Sequence, residues 1–178
     1  RTLSVLQDVL DQVGWSRDKL INFDLEDPEA FKVLNDEKYA GIFQFEGYAL
    51  QSLTRQMKVQ NFEDVASITA LARPGPLTSG GTTQYIQRRV GSSPIEYLHP
   101  MTEEVTKVTK GVVVYQEQVM NIARDVGKLS WEDVSQLRKA MSKSYGEEFF
   151  DRYWQRFKVG AEENNIDEEQ ALKIWKNI

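Results

Sequence analysis

Arg138, Lys139, Ser142 and Lys143 fall inside a stretch, Ser130 to Lys143, whose apolar residues recur at helical spacing. With Leu137 taken as the buried direction, Arg138 lies at about 100°, Ser142 at about 140°, Lys139 at about 200° and Lys143 at about 240°, all off the apolar stripe. Cations in one row on a helix can follow successive phosphoryl oxygens, and arginine offers them a planar fork. An ordinary solvated helix surface has the same pattern. A second anion-binding arrangement is Arg73 followed by Pro74-Gly75-Pro76-Leu77-Thr78-Ser79-Gly80-Gly81. Glycines without a Cβ let backbone N–H groups reach an anion, and a helix beginning near Thr82 aims its positive end at it. Gly and Pro serve a plain turn equally well.

Other chemistries find no footing. His99 is the single histidine and precedes Pro100 in a turn, and there is no Gly-x-Ser-x-Gly elbow, so a Ser-His-acid triad cannot be assembled. Neither the Walker-type phosphate loop nor the Gly-x-Gly-x-x-Gly fingerprint occurs. Cysteine is absent, which removes disulfides, thiolate nucleophiles and Cys/His zinc sites. The adjacent acids Glu103-Glu104, Glu147-Glu148 and Glu162-Glu163 diverge by about 100° on a helix and do not converge on one ion. Asp24, Glu26 and Asp27 could crowd a metal, though a helix cap at Asp27 accounts for them more simply. No catalytic residue, metal ligand or cofactor is assigned.

The scaffold for these residues is one domain's worth of chain: 178 residues, 40% apolar, 11% aromatic and 28% charged. Such a composition builds a core and excludes a disordered tail. Lys and Arg number 22 against 27 Asp and Glu, a net charge of -5, which argues against a general nucleic-acid coat. The acids concentrate before residue 41 and after residue 146, so the span between is mildly basic and is where a phosphate surface belongs. No run approaches the ~20 apolar residues of a membrane span and no basic-then-apolar leader opens the chain. With cysteine absent, a cytoplasmic location without membrane partners is expected. The chain starts without Met and Ala171 to Ile178 read as an unfinished helix, so a piece of a longer protein is expected.

Apolar spacing predicts helices with Leu3, Leu6, Leu10 and Val13 on one face, then one capped by Asp27 with Pro28 at its first position. Further stripes are Leu50, Leu53 and Met57, and Val65, Ile68 and Leu71, the latter stopping near Arg73 because Pro74 disfavours helix before it. A short helix carries Tyr85, Ile86 and Arg88, and an irregular connection runs from Ser92 through Pro100. Val112-Val113-Val114-Tyr115 is the one β-like run. Helical spacing resumes through Val119, Met120 and Ala123. Ser130 with Asp133 resembles a capping box before a buried stripe of Val134, Leu137 and Met141. Phe150, Tyr153, Trp154, Phe157 and Ala161 mark a long aromatic-faced helix, and Asp167 with Gln170 caps a last one. The fold class read from this is mainly α, a single helical domain with one core and at most a short β element near 112–115.

Four motifs stand in order: Gly41-Ile42-Phe43-Gln44-Phe45-Glu46; Ala72-Arg73-Pro74-Gly75-Pro76-Leu77 with Ser79-Gly80; Tyr115-Gln116-Glu117-Gln118-Val119-Met120; and Leu137-Arg138-Lys139-Ala140-Met141-Ser142-Lys143. With weaker echoes at Tyr97-Leu98-His99-Pro100 and at Phe157 with Gly160-Ala161, the chain closely resembles the C-family replicative polymerases, the alpha subunits of bacterial DNA polymerase III. The resemblance implies the mainly helical fingers of a template-directed DNA polymerase. Residues 1–40 would follow the palm, 41–146 would face the nucleotide and 147–178 would form C-terminal helices.

The resemblance further implies that Arg138 and Lys139 face the triphosphate of the incoming deoxynucleoside triphosphate, with Lys143 beside them and Arg73, Gly75, Ser79 and Gly80 at the loop. Arg88 and Arg89 are the implied contacts to primer–template DNA. The palm aspartates lie outside this chain, so the 178 residues alone are expected to be inactive, with Mg2+ needed only by the full polymerase and palm and thumb as partners. The short connection from Gly91 to Gly111, and Val90 where many members have His, suggest a phage-encoded or divergent member. The alternative of another class is a helical protein-interaction module using Phe150, Tyr153, Trp154 and Phe157, an aromatic stripe at interface-like spacing.

Overall fold

The computed structural model of the protein describes residues 2–73, 80–143 and 146–178. Among these, the order of helices is α1 (Thr2–Val13), α2 (Arg17–Ile21), α3 (Pro28–Asn35), α4 (Tyr48–Met57), α5 (Phe62–Leu71), α6 (Gly81–Arg89), α7 (Pro100–Thr106), a 3₁₀ turn (Lys107–Thr109), α8 (Gln116–Asp125), α9 (Trp131–Lys143), α10 (Glu147–Glu163) and α11 (Glu168–Trp175). The described residues form no strand, and none of their helices is long and apolar enough to cross a membrane. The mainly α expectation is met.

Local signals placed most of these helices. Asp27 accepts the N–H of Glu29 at 2.9 Å with Pro28 at the first helical position, and Asp167 accepts from Gln170 N at 2.8 Å. Asp24 accepts the N–H of Glu26, and Glu26 reaches the N–H of Phe62, so each of the three acids near residue 25 is a backbone acceptor. The first stripe departs from expectation. Leu10 is buried, but Leu3, Leu6 and Val13 are exposed, and none of α1 enters a core cluster. A helical period shows that one side is apolar; burial also needs a partner, and here α2 brings only Arg17, Leu20 and Ile21 to the side of Leu3, Leu6 and Leu10, leaving most of the stripe open.

Buried apolar residues gather in two main clusters instead of one. The first contains Phe31, Leu34, Phe45, Leu53, Met57, Ile68, Leu71 and Tyr85 from α3 to α6. The second contains Ile122, Val126, Phe157, Ala161, Ile166, Ala171 and Ile174 from α8 to α11, with a satellite of Ala123, Leu129 and Val134 beside it. The β-like run Val112–Val114 links them. Val112 and Val114 pack on the first cluster and Val113 on the second, the two-sided display of an extended chain. It pairs with no strand, because the side chain of Gln118 takes the ladder's place. Its Oε1 accepts the N–H groups of Val114 (2.7 Å) and Tyr115 (2.9 Å), while its Nε2 donates to Val105 O (3.0 Å) and Thr109 Oγ1 (2.7 Å).

Helix α7 was not expected, since residues through Pro100 read as loop. Its buried positions, Thr102 and Thr106, are polar and leave no apolar period. Their hydroxyls are satisfied by carbonyls one turn back, Thr102 Oγ1 to His99 O at 2.8 Å and Thr106 Oγ1 to Thr102 O at 2.7 Å. His99 serves as the cap, its Nδ1 accepting from Met101 N, with Pro100 first in the helix.

Helix α9 opens on the expected capping box: Ser130 Oγ accepts the N–H of Asp133 at 3.2 Å and Asp133 Oδ2 accepts from Ser130 N and Oγ. Val134, Leu137 and Ala140 are buried, with Met141 only half so. The Arg156 guanidinium of α10 grips the Asp133 carboxylate with both terminal nitrogens, at 2.5 and 2.6 Å. Burial works to raise the Asp133 pKa, but the hydrogen bonds from Ser130 and Arg156 outweigh it and hold the carboxyl below its usual range. A depressed acid stabilises the fold above its unfolded pKa and loses that contribution as the pH falls through the folded one. Wild type should therefore lose its stability margin over Asp133→Asn as the pH falls below about 3.9. Thermal melts of both proteins from pH 6 to pH 3 check this, and a margin independent of pH would contradict it.

Candidate phosphate-binding face

Burial of Leu137 and Ala140 leaves Arg138, Lys139 and Lys143 exposed on the other side of α9. The helical arithmetic placed all three on that side. Asp133 and Arg156 fix the start of the helix and its buried stripe fixes its rotation, so the cationic row sits on a rigid element. Cations in the last turns also complement the negative end of the helix.

Arg73 is exposed just past α5, and Gly80 precedes α6 with φ 81°. The two helix ends are tied together by Thr82 Oγ1, which donates to Leu71 O at 3.1 Å. Gly75 and Ser79, assigned with them, lie outside the described residues. What the loop contributes beyond Arg73 and Gly80 is therefore carried by the motif alone.

Arg88 and Arg89 end α6 and have separate surroundings. Arg89 Nε and Nη2 donate to the two oxygens of Asp64 at 2.8 and 2.7 Å, and Nη2 also donates to Gln60 Oε1 at 2.8 Å. Asp64 is 2% exposed and takes the N–H of Gln60 as well. The Arg89 pKa is raised by its hydrogen bonds to Asp64. A phosphate at Arg89 would have to compete with this carboxylate. Arg88 instead donates one N–H to Lys110 O at 3.0 Å and faces a cavity between α6 and α11.

The aromatic stripe turns mostly inward. Phe157 is fully buried, with Trp175 at 5.1 Å and Trp154 at 6.3 Å between ring centroids, and Tyr153 packs on the satellite cluster. These rings serve the core before any docking surface.

The structure also explains motif residues to which the sequence assigned no role. Tyr115 carries a hydrogen-bond chain from the buried Tyr85 out to the surface: Tyr85 donates to Ser67 at 3.0 Å, Ser67 and Tyr115 lie 3.4 Å apart, and Tyr115 donates to the exposed Glu63 at 3.2 Å. Burial raises both tyrosine pKa values. In the first motif Phe45 is buried, Glu46 accepts the N–H of Gly41, and Phe43 is 85% exposed. An aromatic left in solvent could not be told from Phe45 by type alone.

Comparison with known proteins agrees with the resemblance. A family model described as the bacterial DNA polymerase III alpha subunit finger domain matches residues 2–165. The chain is 38% identical to the DNA polymerase III subunit alpha of Aquifex aeolicus (strain VF5) over 154 residues, which are 86% of this chain and 13% of that protein. It is 37% identical to that of Staphylococcus aureus (strain COL) over an aligned length of 183, covering all of this chain and 17% of the relative. The chain thus spans well under a fifth of the length of these relatives.

Proposed function

Because this chain belongs to the finger-domain family of bacterial DNA polymerase III alpha subunits, we propose that it is the finger portion of a replicative, template-directed DNA polymerase. In this reading α9 receives the incoming deoxynucleoside triphosphate, and primer–template DNA passes beside α6. The observation that carries it is the division of α9: Leu137 and Ala140 hold the core while Arg138, Lys139 and Lys143 present an exposed row. Arg138 and Lys139 neutralise phosphoryl charge and orient the triphosphate, Lys143 extends the row, and Arg73 with Gly75, Ser79 and Gly80 lines the neighbouring loop. Arg88 is directed to DNA, and Arg89 positions it by locking α6 to Asp64.

Among the described residues no acids gather into a set that fits the Mg2+ such a polymerase requires. Asp64 and Asp133, the two buried acids among the described residues, each face a guanidinium, and Asp24 and Asp27 accept backbone N–H groups. The metal then belongs to the palm, outside these residues, and the chain alone performs no phosphoryl transfer. The palm and thumb are the proposed partners, in the cytoplasm, and the exposed apolar stripe of α1 suits packing against another part of the same polymerase.

The test uses a full-length alpha subunit carrying this segment. Arg138→Ala and Lys139→Ala should each raise the nucleotide KM or lower kcat by about tenfold or more, since a lost charged hydrogen bond to phosphate removes ~1.5–3 kcal/mol. Both variants should melt like wild type, whereas Leu137→Ala should lose ~2–5 kcal/mol of stability. Wild-type incorporation by both α9 variants would sink the assignment.

A further inference from the structure

A cavity of about 420 Å³ lies between α6 and α11, and its lining includes Arg88, Lys173, Lys176, Glu96, Gly81 and Gly111. Its volume is that of a small-ligand site, yet its wall carries three cationic residues against one carboxylate. The cations come from two segments about 85 positions apart in sequence, with Arg88 in the last turn of α6, Lys173 in α11 and Lys176 just past the end of α11. Both lysines are exposed, and neither makes an ion pair among the described residues.

The convergence is built into the backbone. Gly111 has φ 78°, a conformation that favours glycine, and a Cβ there would fall on Glu96 O and within 3.0 Å of Arg88 Nη1. Glycine is what lets the arginine lie against the chain and donate to Lys110 O. On the far side, Gln170 Nε2 donates to Leu98 O, which ties α11 to the same wall. Arg88 is therefore held in place, with most of its five donors unspent on the described residues.

We propose that this cavity is a phosphoryl-binding pocket in which Arg88, Lys173 and Lys176 jointly hold a phosphate of the nucleic-acid backbone. It deepens the reading of Arg88 given above and rests on it for the source of the phosphate. The pocket's chemistry would equally accept a free nucleotide or pyrophosphate, and none of the α9 cations lines it. A buried or half-enclosed cation cluster is stabilised by an anion that forms charge-assisted hydrogen bonds with several members at once.

The experiment compares Lys173→Glu/Lys176→Glu with wild type in a full-length alpha subunit carrying this segment. Lys32→Glu/Lys38→Glu, the same charge change outside the cavity, serves as control. Anisotropy of labelled primer–template DNA should show at least tenfold weaker binding for the cavity variant at low salt, and a salt slope reduced by about one to two. The nucleotide KM should stay at the wild-type value. Glu96→Gln should tighten DNA binding, a gain that no loss of folding can imitate. If DNA affinity is unchanged but inhibition by inorganic pyrophosphate is relieved, the pocket is phosphoryl-binding and its source is the free anion. Unchanged DNA affinity together with unchanged pyrophosphate inhibition overturns the proposal, as does an equal loss of DNA affinity in the control. Failure of the α9 assignment would register separately, in the KM of the Arg138 and Lys139 variants.

Discussion

Gly160→Ala is expected to destabilise the chain by about 3 kcal/mol, against the ordinary sign of that substitution inside a helix. Gly160 lies within α10, where replacing glycine by alanine usually gains about 1 kcal/mol. Here a Cβ would land on the carbonyl carbon and oxygen of Gly127, closer than real Cβ atoms approach any backbone. Gly127 cannot retreat, because its own Cα faces the ring of Phe157, which is fully buried beside Trp175. Ala161, Val126 and Ile166 close the same region. Helix and turn thus meet backbone to backbone, and relief would have to open the second cluster. Urea unfolding of the two proteins at one temperature measures the difference. A variant as stable as wild type would show that the close approach is not a constraint.

The second large effect is expected at the Asp64–Arg89 pair. The side chains are 3% and 15% exposed, so removing one partner strands a buried charge, and Arg89→Met should cost about 3–5 kcal/mol. Replacing both, as Asp64→Leu/Arg89→Met, should recover most of that loss, because the desolvated carboxylate is removed together with its partner. Denaturant midpoints for the two singles and the double give the coupling. Near-additive singles would mean that the pair is not acting as a unit. The outcome also bears on the positioning role given to Arg89: a substitution there should lower melting temperature and DNA binding together. Lys173 and Lys176, exposed and without a described ion pair, should separate the two.

What could be read from sequence was what neighbours in sequence decide. Ser130 with Asp133, Asp27 before Pro28 and Asp167 with Gln170 are all contained within one turn, and each forms the hydrogen bond its spacing requires. The cationic side of α9 followed from rotation per residue alone. Features that depend on a distant partner were not legible. Arg89 and Asp64 are 25 positions apart, and nothing in either neighbourhood marks the other. Lys173 and Lys176 carried no signal until α11 was placed against Leu98. The exposed stripe of α1 and the threonine-faced α7 show opposite failures of apolar periodicity, one apolar and mostly open, the other polar and buried.

The alternation of Val112, Val113 and Val114 has a mechanical consequence. The function proposed above would have any closing movement turn about a hinge. This strap is a poor one: rotating one cluster against the other would withdraw either Val112 and Val114 or Val113 from its seat, and would break the grip of the Gln118 amide. The strap works as a rivet, so the two clusters are carried through any such movement as one lever. Its bending point then falls at an end of the lever, where the backbone is not pinned on both sides.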